Sequence, residues 1–328
     1  MKSLCELFGV SKQAYYKHDA EKAAYKAAQV AFALEYVREV REKDPGIGGT
    51  KMWHMYRMKF SPMGDIMGRD RFEDMINDYG LKVRNRTRKP RTTDSTHGLP
   101  TYPNLVKDLI PTRPNQFWVS DITYVEIWLE DGSYFFSYVT LIMDAYTKEI
   151  IGWNVADSLA TEHSMKALEM AMRRVNGMEG LDLIHHSDRG IQYASREYTS
   201  ALKSRGIRIS MTETGDPKDN AMAERINNTL KNELLKGYRP HSIHELRTTI
   251  CRAVDFYNNE RPHMSINMMT PAEAAMCTGE IVKCWTSYRE RAIKRNLEAL
   301  DIAENSLPLQ ENPGSPSELR SSVNPGQR

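Results

Sequence analysis

Asp121, Asp188 and Glu224 are the carboxylates whose settings suggest chemistry in this 328-residue chain. Several carboxylates that converge on one point can hold hard divalent cations. Two magnesium ions about 4 Å apart can activate an attacking oxygen and stabilise a leaving one at a crowded, anionic phosphorus. With 43 acidic residues available, some trio can always be found. The elements that carry the three must decide whether they meet.

Those elements read as a mixed α/β domain. Phe117–Ile127, Tyr134–Met143 and Ile150–Val155 are rich in β-branched and aromatic residues, with turns at Asp131-Gly132 and Thr147-Lys148. They predict three antiparallel strands joined by short connections. Ser164–Val175 predicts a helix, Leu181–His185 a fourth strand, Arg196–Ser204 a helix and Ile207–Met211 a fifth strand. Long helices follow over about 220–235 and 243–258. The order β-β-β-α-β-α-β-α is that of an RNase H-like fold, a mixed sheet with helices on both faces. It places Asp121 within the first strand, Asp188 just past the fourth beside it, and Glu224 on the helix after the fifth. On that helix Asn220, Glu224, Asn228 and Lys231 share one face. Met222, Ile226, Leu230 and Leu234 lie roughly opposite and should bury against the sheet. Spacing alone describes an ordinary amphipathic surface helix equally well.

The preceding ninety residues read as all-α. Leu4–Phe8 and Ser11–Lys17 around Gly9-Val10 resemble a short helix-turn-helix, with Ser11 as N-cap; any two short helices with a glycine turn would look the same. A longer helix is expected from about Ala20 to Glu42, with Val30, Leu34 and Val37 on one stripe, before Pro45, Gly46, Gly48 and Gly49 break the chain. Phe72, Met75, Ile76 and Tyr79 recur at helical spacing before a capping Gly80. Lys82, Arg84, Arg86, Arg88, Lys89 and Arg91 then form a block without an acid, a solvated linker or a contact for a polyanion. The expected division is 1–92 helical region with basic linker, 93–112 linker, 113–277 core, and 278–328 helical extension with a disordered tail from about Ser306.

Composition excludes several classes. The net charge of +2 says little about partners. No run of eighteen apolar residues would span a membrane, and the start lacks the order of a signal peptide. Cys5, Cys251, Cys277 and Cys284 contain no CxxC pair and no zinc spacing; they read as reduced thiols of a cytoplasmic protein.

The words around the acids are more specific than the acids. FWVSDITYV, DAYTKEIIGW, HHSDRGIQYAS, GDPKDNAMAERINNTLKNELL and FYNNERPHMSINMMTPAEA occur in that order. Together they resemble the retroviral-integrase-like core of insertion-sequence transposases, in particular the second-frame (OrfB) product of two-reading-frame elements. That family carries a DDE triad with thirty-five residues between the second Asp and the Glu. Residues 189–223 fill that interval here, and Lys231 matches a basic residue seven positions after the Glu. The likeness covers roughly residues 113–275. It implies that Asp121, Asp188 and Glu224 ligate two Mg2+ ions, with Mn2+ able to substitute. Asn220, Asn228 and Lys231 would contact DNA or orient the site. The implied reaction is cleavage and strand transfer at the element's terminal inverted repeats, by in-line attack of water or a DNA hydroxyl with no protein nucleophile. Target DNA, an upstream-frame product or frameshift fusion, and further copies of the chain in a synaptic complex are the implied partners, in a bacterial cytoplasm and on the nucleoid when bound. A DNA-binding regulator or inactive remnant, and a nuclease that only hydrolyses, remain alternatives.

Other residues invite assignment. Asp144 follows an apolar strand but fits neither the context nor the spacing of a second triad acid, and is expected to be a strand-end residue. His185 and His186 flank the site and are expected to be packed or surface histidines. Trp118 is expected in a core wall. Arg261-Pro262-His263 matches the family's downstream motif with either a structural or a DNA-facing role.

Overall fold

β1, Phe117–Trp128, pairs antiparallel along its length with β2, Tyr134–Asp144, from Trp118 opposite Asp144 to Trp128 opposite Tyr134. β-branched and aromatic residues fit this pleated, half-buried surface. The hairpin closes at Gly132, whose φ of +82° suits glycine. There Asp131 Oδ1 accepts the Ser133 backbone N–H at 2.9 Å and its hydroxyl at 2.6 Å. β3, Ile150–Ala156, adds antiparallel to β2. β4, Ile184–Ser187, and β5, Arg208–Met211, extend the other edge in parallel, giving the order β3-β2-β1-β4-β5. The expected mixed sheet is present.

The computed structural model behind this description covers residues 2–9, 11, 13, 20–83, 98–178, 180–213, 220–284, 290–296 and 298. The chain divides into two compact units, Met1–Trp285 and Thr286–Arg328. In the second, residues 290–296 are helical. The second helix of the expected helix-turn-helix, apart from Ser11 and Gln13, and the tail from Ser306 lie outside the described residues.

The fourth strand starts three residues later than the composition suggests. Asp182 is exposed and its carbonyl accepts from Arg113, so pairing begins at Ile184 and runs to Ser187. All four residues of β4 are buried, as expected of a parallel strand covered on both faces.

Helices cover the two sheet faces as the alternation of β1 dictates. Trp118, with Ile142 of β2, packs against Leu168 and Ala171 of α5 (Thr161–Arg174) and Tyr198 and Leu202 of α7 (Arg196–Ser204). The short α6, Ile191–Ala194, lies between those helices in sequence and adds Tyr193 to the same core. Gly152 of β3 allows this approach: a Cβ there would sit 2.2 Å from the Ala167 carbonyl oxygen. On the opposite face Val119, Ile127, Val139 and Leu141 meet Ile226 and Leu230, which belong to α8 (Ala221–Thr229) and the π-helical turn that continues it (Leu230–Leu234). Ile250 and Val254 of α9 (Ile243–Asn259) join them. α10, Pro271–Ala274, is closed by a capping box between Thr270 and Glu273.

The leader shares that second core. α1 spans Lys2–Leu7, α2 Ala20–Lys43, α3 Gly49–Phe60 and α4 Arg69–Asp78. Val37, Met52, Tyr56 and Phe72 belong to one cluster with Val119 and Ile250. α3 is an element beyond those the sequence suggested; Met52, Tyr56 and Phe60 at i, i+4 and i+8 are its signal.

A buried ionic junction joins leader to core. Arg261 Nε lies 3.1 Å from Asp44 Oδ2, with side-chain exposures of 2% and 0%, and its Nη2 pairs with Glu233 on the π turn. Lys51 Nζ is 3.8 Å from the same Glu233 carboxylate. Gly46 donates its N–H to the Glu233 carbonyl at 3.0 Å, and a Cβ on it would fall 2.3 Å from Glu233 Cα. His263 packs edge-on to Tyr257 at 4.5 Å. Arg261-Pro262-His263 is thus structural.

Candidate active site

The register of β1 on β4 positions the two aspartates. Phe117 pairs with Ile184, Trp118 with His185 and Val119 with His186. Two residues further along each strand direction come Asp121 and Asp188, side by side at the point where β4 ends. Gly190 follows at once, its N–H donated to Asp188 Oδ1 at 2.9 Å. A Cβ on Gly190 would lie 3.0 Å from that oxygen.

α8 runs along the edge of β1 that β4 leaves uncovered. Asn220, the residue before it, donates its Nδ2 to the Ser120 carbonyl at 3.1 Å, and Asn227 donates its Nδ2 to Asp121 Oδ2 at 2.8 Å. Between these two anchors, in the first turn of α8, is exposed Glu224. An acid in a first turn is favoured by the helix dipole. The Oδ1 atoms of Asn220 and Asn227 are buried with no hydrogen-bond partner among the described residues.

Asp121 registers its neighbours electrostatically. Burial, then the Asp188 charge, then, against the Ile122 N–H bond, the Glu224 charge push its carboxyl up to about 7, and the Asn227 hydrogen bond pulls it down. Burial is the largest of these causes and the two neighbouring carboxylate charges add to it, a repulsion that a cation would relieve. Among the described residues, no three His, Cys, Asp or Glu side chains close into a metal-binding group.

The remaining expected residues fall as follows. Lys231 rides on the π turn, its Nζ 3.9 Å from the Tyr124 ring centroid. Asn228 is exposed. Asn220 is buried, 7% exposed, and its Nδ2 donates to the Ser120 carbonyl, which ties the start of α8 to β1. Asn227, beyond the residues singled out in the sequence, is the asparagine that touches Asp121. It lies seven residues after Asn220, on the flank of the polar stripe that turns toward the sheet, whereas Asn228 lies on the other flank. Lys82 is exposed, and Arg84, Arg86, Arg88, Lys89 and Arg91 lie outside the described residues.

The residues set aside are accounted for. Asp144 is buried at the strand end and accepts the backbone N–H groups of Asn115, Tyr146 and Thr147 at 2.7–2.9 Å. His185 Nε2 pairs with the Tyr198 hydroxyl at 3.0 Å, and burial, then His186, holds its pKa down to about 3. His186 Nδ1 lies 2.8 Å from the Ser210 hydroxyl. Trp118 is fully buried, its Nε1 donating to Asn115.

A family model for the integrase core domain matches residues 111–217, and a second integrase core model matches 205–271. The chain is 35% identical over 276 residues to the insertion element IS600 uncharacterized 31 kDa protein of Shigella sonnei, covering 82% of this chain and 96% of that one. It is 32% identical over 270 residues to the putative transposase for insertion sequence element IS986/IS6110 of Mycobacterium tuberculosis, covering 80% and 94%. The chain belongs to the insertion-sequence transposases. The transposase is a DDE-type polynucleotidyl transferase, and its reaction is DNA transposition. Among solved structures it resembles a chain of the simian T-cell lymphotropic virus intasome, with TM-score 0.43 and 18% identity, covering 60% of this chain and 66% of that one. No helix among the described residues is long and apolar enough to cross a membrane.

Proposed function

We propose that Asp121, Asp188 and Glu224 are the catalytic carboxylates, and that this transposase cuts and joins DNA strands at the terminal inverted repeats of its own element. The observation that supports the assignment is geometric: the β1–β4 register sets Asp121 beside Asp188, and the Asn220 and Asn227 hydrogen bonds hold the helix that carries Glu224 against β1. The same three residues stand in the register and helix positions described above.

The donor set fits a hard divalent cation: three carboxylates, and no thiol or imidazole turned toward them among the described contacts. Asp121, Asp188 and Glu224 would hold two Mg2+, or Mn2+ in their place. When bound, these ions supply Lewis acidity to the scissile phosphate and lower the pKa of the attacking hydroxyl. The chain's own residues supply positioning. Asn227 fixes the Asp121 carboxylate, and Asn220 ties the start of α8 to β1, which sets Glu224 one turn away. Gly190 lets the backbone turn close against Asp188. Lys231 brings a positive charge to the same helix face, where it would meet a phosphate. The basic block Lys82–Arg91 and exposed Asn228 complete the proposed DNA contacts, and the working complex is an oligomer that includes an upstream-frame product or fusion.

The test is strand transfer. Purified chain, with the upstream-frame product or as a fusion, is incubated with end DNA carrying the inverted repeats, a target duplex and Mg2+. Recessed 3′-hydroxyl ends and joined product are expected. Nicked DNA with no joined product would reduce the protein to a hydrolytic nuclease.

A further inference from the structure

The far half of the β1–β2 hairpin carries an aromatic cluster that the catalytic assignment does not use. Tyr124 and Trp128 of β1 and Tyr134 and Phe136 of β2 share one sheet face, since the register sets Trp128 opposite Tyr134 and Glu126 opposite Phe136. The rings touch in sequence: Tyr124 to Phe136 at 5.0 Å, Phe136 to Tyr134 at 5.5 Å, Tyr134 to Trp128 at 5.2 Å between centroids. Nearer β4, this face is covered by α5 and α7. Out here Tyr134 remains 48% exposed and Phe136 41%.

Two cations border the cluster, both from the segment that starts with α8. Lys231 Nζ lies 3.9 Å from the Tyr124 centroid, and Arg239 Cζ 4.7 Å from that of Trp128. The Trp128 N–H to Pro240 carbonyl bond of 2.8 Å fixes that loop to the strand. The cluster lies close to the site along β1, on the sheet face opposite to the Asp121 side chain. Asn227, which holds Asp121, is one helical turn before Lys231, and Tyr124 is three residues after Asp121, roughly 10 Å along the strand.

We propose that this face is a stacking platform for unpaired bases of the DNA strand being processed, with Tyr134 and Phe136 as the base-contacting rings and Lys231 and Arg239 taking the flanking phosphates. Four linked rings, two of them open to solvent, form an apolar patch that calls for a partner. Rings bordered by cations match a strand whose bases offer π faces and whose backbone is anionic. Glu126, on the same face between Tyr124 and Trp128, opposes a phosphate at the platform's centre and so keeps the backbone to its borders. Duplex DNA hides its base faces; a frayed or cleaved end presents them. The proposal rests on the transposase reading for its ligand and on the platform for its location.

The experiment measures binding of short single-stranded and duplex oligonucleotides to the whole chain by fluorescence anisotropy, with metal chelated so that cleavage plays no part. Base–aromatic stacking contributes about 1–3 kcal/mol per base. Tyr134→Ala with Phe136→Ala should therefore weaken single-strand binding by about 10-fold or more, with duplex binding, thermal stability and oligomeric state unchanged. Tyr134→Phe with Phe136→Tyr should restore it. Unchanged single-strand affinity in the alanine variant overturns the platform, as does a change in oligomeric state with DNA affinity intact, which would make the face a contact between copies. Asp121→Asn serves as the separating control. It should lose strand transfer and keep single-strand binding, so a failed triad and a failed platform give different results.

Discussion

Removing Asp44 tests how the leader is held to the catalytic core. Arg261 is 2% exposed in its side chain and Asp44 is 0% exposed, so the pair has no solvent to fall back on. Asp44→Ala leaves a buried guanidinium with Glu233 as its carboxylate partner, itself 30% exposed, and leaves the Gly46 N–H without its side-chain acceptor. Breaking a buried pair from one side costs about 3–5 kcal/mol, because the remaining charge stays desolvated. At an unfolding entropy of about 2.1 cal/mol/K per residue, ~4 kcal/mol lowers the Tm of a unit of this size by roughly 7 °C. The Lys59–Glu39 pair, 3.1 Å apart with exposures of 48% and 53%, is the internal control. Lys59→Ala should cost about 1 kcal/mol or less. Urea unfolding of both variants gives the comparison. If Asp44→Ala costs no more than Lys59→Ala, the junction does not bind the leader to the core.

Gly46→Ala should destabilise by about 1–3 kcal/mol in the same assay, since its Cβ would meet Glu233 Cα at 2.3 Å and the Asn232 carbonyl oxygen at 2.7 Å, both backbone atoms. His185 has its folded pKa depressed to about 3, so its contribution is fully present above the unfolded pKa and is lost as pH falls toward 3. Stability should fall by about 1.4 kcal/mol per pH unit below pH ~6.5 from this group, and His185→Phe should flatten that part of the profile. Asn227→Ala removes the hydrogen bond that fixes Asp121, and should raise the Mg2+ concentration for half-maximal cleavage by about 10–100-fold; an unchanged metal titration removes Asn227 from the site. If all six basic residues of Lys82–Arg91 meet phosphates, the log–log salt slope of DNA binding should be roughly −5, and neutralising the block should flatten it.

The sequence made the sheet legible because β1, β2 and β3 are long runs with strong β composition, and the acids legible because they sit in ordered family motifs. Local pattern could not reveal what depends on distant pairing. Asp44 and Arg261 are 217 positions apart, and nothing in the periodicity of either segment points to the other. Asn227 and Asn228 are neighbours of one type, and only the direction in which α8 rolls against β1 decides which one reaches Asp121. The π turn at Leu230–Leu234 is invisible to a wheel drawn at 3.6 residues per turn. Leu181 was expected to open β4 because it is apolar; the exposed Asp182 between it and Leu183 shows why pairing starts later. The aromatic face of the hairpin reads in sequence as ordinary strand residues, and its exposure follows from where α5 and α7 end.

The triad is tested most directly by comparing Asp121→Asn, Asp188→Asn and Glu224→Gln with the unaltered chain on the same end DNA, measuring strand transfer in Mg2+ and binding with metal chelated. Each substitution should abolish joined product while leaving DNA affinity within a few-fold, because a lost carboxylate removes a cation ligand and no phosphate contact. Normal strand transfer by any one of the three variants would contradict the assignment of that residue.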